Sequence, residues 1–294
     1  MSTLAAIFSA LLAVFFPSGT DGTVKGESVV VDRLPVIAQR TVVEQRAVPS
    51  VTATAAGVWD PVARTFLSEK NVDKPLAIAS ITKLMTALLV LEQPPILDET
   101  LTLGAADNDA GGSRLRVPTG TVLTGRDLLA AMLVASANNA AEALARLSGR
   151  TEDEFVQTMN TRARELGMPD THFTDVTGLG SGNISTVRDL TVLSAALEAF
   201  PEIADLTSKK SVTIRLQNTG RTMTALNTDG LVGSDINIVY GKTGFSDAAG
   251  GCLLTRIRSF GGRELLVVVL GSTNQTARFR DTRALADWAF ASTK

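Results

Sequence analysis

Hydrophobic and polar positions divide the chain into stretches of different period. Over residues 51–58 (VTATAAGV) small and β-branched residues alternate, Asp60-Pro61 turns the chain, and Thr65-Phe66-Leu67 makes a second extended piece, the pattern of a hairpin. After Pro75 the period lengthens: Ile81, Leu84, Met85, Leu88 and Leu89 recur at steps of three and four, which predicts a helix with one buried face. Further helices are predicted over 125–133, 140–147, 155–166 and 187–200, the third stopped by Gly167 and Pro169. Beyond Pro201 β-branched alternation returns at 211–216, 236–240, 252–257 and 265–270, which read as strands. Residues 276–290 close the pattern as a helix with Phe279, Leu285 and Trp288 on its apolar side.

Two strands, a helical block, more strands and a last helix describe an α/β (α+β) sandwich. An antiparallel sheet is assembled from both chain ends and flanked by helices, with a helical lobe over about 85–200 inserted between. The 294 residues, 45% hydrophobic and 20% charged, suffice for one large domain or two closely packed subdomains. A formal charge of -2 gives no electrostatic reason to expect a nucleic-acid partner.

The N-terminus reads differently. An apolar run over 4–16, broken by Pro17-Ser18-Gly19, is shorter than the ~20 residues of a comfortable membrane span and has the length of a signal-peptide core. No Lys or Arg precedes it and no small-x-small cleavage site follows, so an uncleaved anchor fits the run as well. Either way residues 1–19 are expected to be an export element, 20–50 a linker, and 51–294 the folded domain, with membrane contact confined to the N-terminal segment.

Residue counts narrow the chemistry. One cysteine, Cys252, rules out an internal disulfide and reads as a small apolar residue entering a strand. One histidine, His172, excludes multi-histidine metal sites, and a Ser-His-Asp triad would have to use it. Three short motifs offer other machinery. In Ser80-Ile81-Thr82-Lys83 one helical turn makes a hydroxyl and an amine neighbours, and a lysine whose pKa is lowered by burial can serve as the base that serine needs. Ser136-Ala137-Asn138 places a hydroxyl and an amide in a short turn between two helices, the natural edge of a cleft; Ser181-Gly182-Asn183 and Ser272-Thr273-Asn274 carry the same pattern. Lys242-Thr243-Gly244 ends a strand, where a lysine and a hydroxyl can hold a carboxylate and glycine lets a ligand lie against the backbone. Gly241-Lys242-Thr243 also suggests a phosphate loop, but Ile236 stands where that motif needs its first glycine.

In this order the three motifs resemble the signatures S-x-x-K, S-x-N and K-T-G of the serine penicillin-binding proteins and β-lactamases. The resemblance is strongest to the low-molecular-weight D-alanyl-D-alanine carboxypeptidases and extends from about residue 51 to the end. It includes Ala79-Ser80 through Ala87, Ala135 through Ala140, Glu165 through Met168, Thr171-His172-Phe173, Thr177-Gly178-Leu179 and Lys242 through Gly250. The family order selects Ser136 and Asn138, because Ser272 lies beyond the lysine motif and Ser181 sits in a Gly-rich loop.

The resemblance implies a β-lactamase/transpeptidase-like fold and a peptidoglycan stem peptide ending in D-Ala-D-Ala as substrate, with β-lactams as inhibitors. It also implies an exported, periplasmic or extracytoplasmic setting and no metal or organic cofactor. Ser80 is then the nucleophile, Lys83 the general base and Ser136 a proton relay. Asn138 positions the peptide, Lys242, Thr243 and Gly244 bind the carboxylate region, and the backbone N–H groups of Ser80 and Phe245 form an oxyanion hole. Arg278 contacts the substrate carboxylate, with Arg280 as a near neighbour, and His172 is structural. Two departures stand out: the chain stops without the β-rich C-terminal domain of many relatives, and Asn139 replaces an acidic residue found in several. A class A β-lactamase would need an E-x-x-L-N segment, which is missing between Ser136 and Lys242. D,D-endopeptidase activity, a β-lactamase-like hydrolase and a non-catalytic wall-binding or β-lactam-binding module remain the alternatives.

Overall fold

A computed structural model describes residues 47–292. The expected export element therefore lies outside the described residues, as does the linker as far as residue 46. The chain opens with the hairpin of β1 (Ala55–Asp60) and β2 (Thr65–Lys70), whose turn is set by Asp60: its Oδ1 accepts from the N–H groups of Val62 at 2.9 Å and Ala63 at 3.0 Å. β3 (Leu76–Ala77) leads into a 3₁₀ turn, Ala79–Thr82, and then α1 (Lys83–Leu91). Every residue of α1 is buried. The periodicity predicted one buried face; the helix is instead covered on all sides, as its nearly continuous apolar sequence allows.

The inserted lobe continues through β4 (Thr100–Thr102), α2 (Ala105–Asn108), β5 (Val122–Thr124), α3 (Gly125–Val134), α4 (Asn138–Leu147) and α5 (Glu152–Leu166). Capping chemistry fixes these boundaries. The hydroxyl of Thr124 accepts from the Asp127 N–H and that of Thr151 from the Glu154 N–H, each with the acid reaching back. Gly167, at φ 83°, closes α5 in the left-handed conformation. β6 (Ile184–Ser185) and α6 (Val187–Leu197) follow.

Two differences from the sequence pattern come next. α7 (Pro201–Thr207) is a helix the pattern does not reveal, started by a proline at its first turn. β7 (Ser211–Arg215) is a strand as expected, but it pairs with β8 (Thr222–Leu226) in a separate two-stranded ribbon rather than joining the main sheet. Alternation specifies a strand, not its partner.

The main sheet adds β9 (Asn237–Ser246), β10 (Gly250–Arg258) and β11 (Glu264–Ser272) in the order β2-β1-β11-β10-β9, antiparallel throughout, and α8 (Ala277–Ser292) ends the described chain. Both ends of the chain therefore build one sheet. β11 shows how both faces are covered: Leu265, Val267 and Val269 pack with Leu285, Ala286 and Ala289 of α8, while Leu266, Val268 and Leu270 belong to the core shared with α1 and the lobe. Asp281 of α8 ties the two ends together, accepting from Thr52 N (3.1 Å), Thr52 Oγ1 (2.7 Å), Ala53 N (2.9 Å) and Ser272 Oγ (2.8 Å). At the other edge β9 is left facing the lobe, and the cleft lies there.

Candidate active site

Ser80, Ser136, Thr243, Gly244, Phe245 and Arg278 line a cleft of about 510 Å³ between β9 and the lobe, completed by Gly112, Ser113, Thr228 and Gln275. Ser80 stands in the 3₁₀ turn ahead of α1, where side chains three apart eclipse one another, so Lys83 comes directly beneath it. Ala79, just before Ser80, has φ 46°, a conformation L-residues rarely adopt. The turn is held there by close approaches. A Cβ on Gly244 would lie 2.7 Å from the Ile78 carbonyl oxygen and 3.2 Å from the Ser80 nitrogen, so the strand backbone passes directly over the nucleophile's own N–H. Phe245, the next residue along β9, also lines the cleft.

Lys83 is fully buried, and its Nζ meets three oxygens: Ser80 Oγ at 2.9 Å, Asn138 Oδ1 at 2.6 Å and the Thr177 carbonyl at 2.6 Å. Asn138 is oriented unambiguously, because its Nδ2 donates to the Gly111 carbonyl at 2.6 Å. A neutral amine has two hydrogens and one lone pair. Asn138 Oδ1 and the Thr177 carbonyl can only accept, so they take the hydrogens and the lone pair is left facing the Ser80 hydroxyl. Burial pushes the Lys83 amine down to about 7, against the opposing pull of Asp175 and Glu142.

The Thr177 carbonyl is placed by Asp175, which accepts from Thr177 N at 2.7 Å, Thr177 Oγ1 at 2.8 Å and Gly178 N at 2.6 Å. Asn183 anchors that loop in turn, accepting from Asp175 N at 3.1 Å and donating to Thr82 Oγ1 at 3.0 Å.

Ser136 follows α3 with φ 58°, another left-handed non-glycine, and its Oγ accepts from Lys242 Nζ at 2.9 Å. Lys242 is buried as well and also donates to the Thr243 carbonyl at 3.0 Å. Its amine is held well below the ordinary lysine value, first by burial and then by the positive charges of Lys83 and Arg278. Thr243 shares a hydroxyl–hydroxyl bond of 2.6 Å with Thr228. Arg278, 6% exposed, donates from Nη1 to the Gly244 carbonyl at 2.7 Å and stacks over the Phe279 ring at 4.7 Å. Arg280 lines an adjoining cleft beyond Phe245 instead.

Each sequence candidate can now be located. Ser80, Lys83, Ser136, Asn138, Lys242, Thr243, Gly244, Phe245 and Arg278 come together. Asn138 faces Lys83 and the Gly111 carbonyl, and the buried amine of Lys242 faces Ser136. The rival Ser-x-Asn patterns do other work: Asn183 ties its loop to Thr82, while Asn274 accepts from the N–H groups of Thr276 and Ala277 at the start of α8. Asn139 clamps Leu115, accepting its N–H and donating to its carbonyl, both at 3.0 Å. His172 pairs by its backbone with Ile184 and does not line the cleft. Cys252 is buried in β10, its thiol raised to about 11 by burial. Among the described residues no group of three or more His, Cys, Asp or Glu is placed to hold a metal ion. The sequence assigned no role to Thr177, whose backbone carbonyl meets Lys83, or to Thr228, whose hydroxyl pairs with Thr243.

Comparison with known proteins gives the family. The D-alanyl-D-alanine carboxypeptidase family profile matches residues 41–274. A D-alanyl-D-alanine endopeptidase of Pseudomonas aeruginosa is 34% identical over 236 residues, 80% of this chain and 76% of that protein. A D-alanyl-D-alanine carboxypeptidase of Streptomyces sp. strain K15 is 32% identical over 259 residues, 83% of this chain and 89% of its own length. Among solved structures, penicillin-binding protein D2 of Listeria monocytogenes in its ampicillin-bound form superposes with a TM-score of 0.73 at 36% identity, covering 82% of this chain and all of that one.

Proposed function

The chain belongs to the D-alanyl-D-alanine carboxypeptidase family, and from that premise we propose that it removes the terminal D-alanine of peptidoglycan stem peptides through an acyl-enzyme on Ser80. The observation that carries this reading is the convergence of Ser80 Oγ, Asn138 Oδ1 and the Thr177 carbonyl on one buried Lys83 amine.

Acylation begins when the neutral Lys83 amine takes the Ser80 proton as Oγ attacks the penultimate D-alanine carbonyl. Charge develops on the carbonyl oxygen and is met by the N–H groups of Ser80 and Phe245; one such donor is worth about 3 kcal/mol in a transition state. The departing amine takes a proton from the Ser136 hydroxyl, which Lys242 orients and which recovers a proton from Lys83, so that Lys83 is neutral again when the acyl-enzyme forms. Arg278 and Thr243, which line the cleft, receive the terminal carboxylate, with the charge of the buried Lys242 behind them, and Gly244 lets the substrate lie along β9. Water then attacks the acyl carbon, giving a proton to the neutral Lys83 amine, which passes it to the departing Ser80 Oγ and so restores both groups. Asn138, committed on both sides, serves as the residue that aims Lys83.

Among the described residues none that lines the cleft carries a carboxylate. A β-lactam that acylates Ser80 therefore meets no additional carboxylate of the kind a class A β-lactamase uses to activate water, and its adduct is expected to be long-lived. This supports β-lactams as inhibitors rather than substrates, and the ampicillin-bound Listeria structure is consistent with that. The same site also fits D,D-endopeptidase cleavage of cross-linked peptides, the activity for which the Pseudomonas relative is named. The setting is the cell wall, with any membrane attachment through the N-terminal segment.

Incubating the full chain with a fluorescent penicillin, beside Ser80→Ala, tests the reading by intact mass. An adduct on the wild type alone supports it; a folded wild type that forms none leaves a wall-binding module as the better account. D-alanine release from a pentapeptide and cleavage of a cross-linked dimer then separate the two peptidase activities.

A further inference from the structure

Asp229 is the residue the mechanism above does not use and whose position asks for a use. It is 5% exposed, its Oδ1 accepts from the Leu231 N–H at 2.9 Å, and its Oδ2 is buried with no hydrogen-bond partner. The chain on either side fixes where it sits. Thr228 before it bonds the hydroxyl of Thr243 at 2.6 Å, next to Lys242, and donates its own N–H to the Val134 carbonyl at 3.1 Å, close to Ser136. Gly230 after it packs on the Phe279 ring, where a Cβ would come within 3.3 Å, next to Arg278. The neighbours of Asp229 thereby bring it to the end of the cleft that holds Lys242 and Arg278, whose charges both act on it, and Arg278 itself has a buried Nε without a partner.

We propose that Asp229 is a positioning residue that supplies the counter-charge for Lys242 and Arg278, keeping a buried lysine able to hold a proton beside a buried guanidinium. Two cations sharing one buried site repel, and each favours loss of the other's proton. The charges that act on Lys242 are those of Lys83 from α1 and Arg278 from α8, which disfavour its proton, and of Asp229 from the loop before β9, which favours it. The carboxylate is itself pushed up by burial and pulled down by the Leu231 N–H, Arg278 and Lys242, as expected for an anion lodged among cations. The role in catalysis rests on the function proposed above; the electrostatic role does not.

The test is Asp229→Asn, which keeps the size and the Leu231 bond, with Asp229→Glu as the charge-retaining control. In the full chain labelled with ¹³C-lysine, and with Lys242→Arg to assign the signal, the Lys242 Cε titration is followed directly. Asp229→Asn is expected to move its midpoint to lower pH by about one, the shift a single nearby opposite charge produces, while Asp229→Glu stays near the wild type. For a peptide ending in a carboxylate, KM rises about tenfold above the new midpoint with kcat much less affected. An unmoved Lys242 midpoint in a folded Asp229→Asn protein overturns the proposal. Failure of the wild type to react with penicillin would instead remove the proposed activity and leave the titration to decide on Asp229.

Discussion

A Cβ on Gly178 would lie 1.9 Å from the carbonyl oxygen of Ala79, and Gly178 itself has φ 78°. The loop that supplies Lys83 with the Thr177 carbonyl is thus pressed against the turn that presents Ser80, and no other residue fits at the contact. Gly178→Ala should cost at least about 3 kcal/mol, from left-handed strain and from a clash with backbone that cannot swing aside. Denaturant unfolding measures the stability, and penicillin labelling of the surviving folded fraction should fall with it; near-wild-type values of both would refute the account.

Asn138→Ala removes the acceptor that aims the Lys83 lone pair and frees the Gly111 carbonyl. The expected result is a loss of about 100-fold in the acylation rate, within the range assigned to a positioned base, with the fold retained. Stopped-flow labelling and circular dichroism on the same sample check the two halves.

Acylation should follow the protonation of Lys83. Below about 7 its amine is charged and cannot accept the Ser80 proton; above that value the neutral form dominates. The second-order rate with a penicillin is expected to rise with pH through a midpoint near 7. Lys83→Arg, whose guanidinium stays charged, should abolish it at every pH. A profile flat from pH 5 to 9 would exclude Lys83 as the base.

Asp281 provides a contrast, because it holds the fold and does not line the cleft. Its four incoming hydrogen bonds link residues 52 and 53 to β11 and α8. Asp281→Ala leaves buried donors unpaired and should lower stability by about 3 kcal/mol, with the acylation rate of folded protein within twofold of wild type. Thermal melting and labelling at a temperature below both transitions distinguish this from a catalytic effect.

What the sequence determined by itself is what acts over a few residues. The Ser80–Lys83 spacing survives as contact because one turn spans it, even though that turn is 3₁₀ rather than α. The hairpin at Asp60-Pro61 and the caps at Thr124, Thr151 and Gly167 are equally local, and the periodic apolar stretches named most elements for the same reason. Tertiary structure decided the rest. Lys83 meets Asn138 across 55 positions and Lys242 meets Ser136 across 106, distances over which the residues alone gave three equal Ser-x-Asn patterns and only the family's motif order chose among them. Thr177 contributes a carbonyl, which every residue has, so its side chain gave no sign. β7 joined β8 instead of the main sheet because alternation does not choose a partner. Asp229, with Gly230 after it, reads locally as turn chemistry; only packing buries its carboxylate where the charges of Lys242 and Arg278 act on it, since a low dielectric strengthens such interactions.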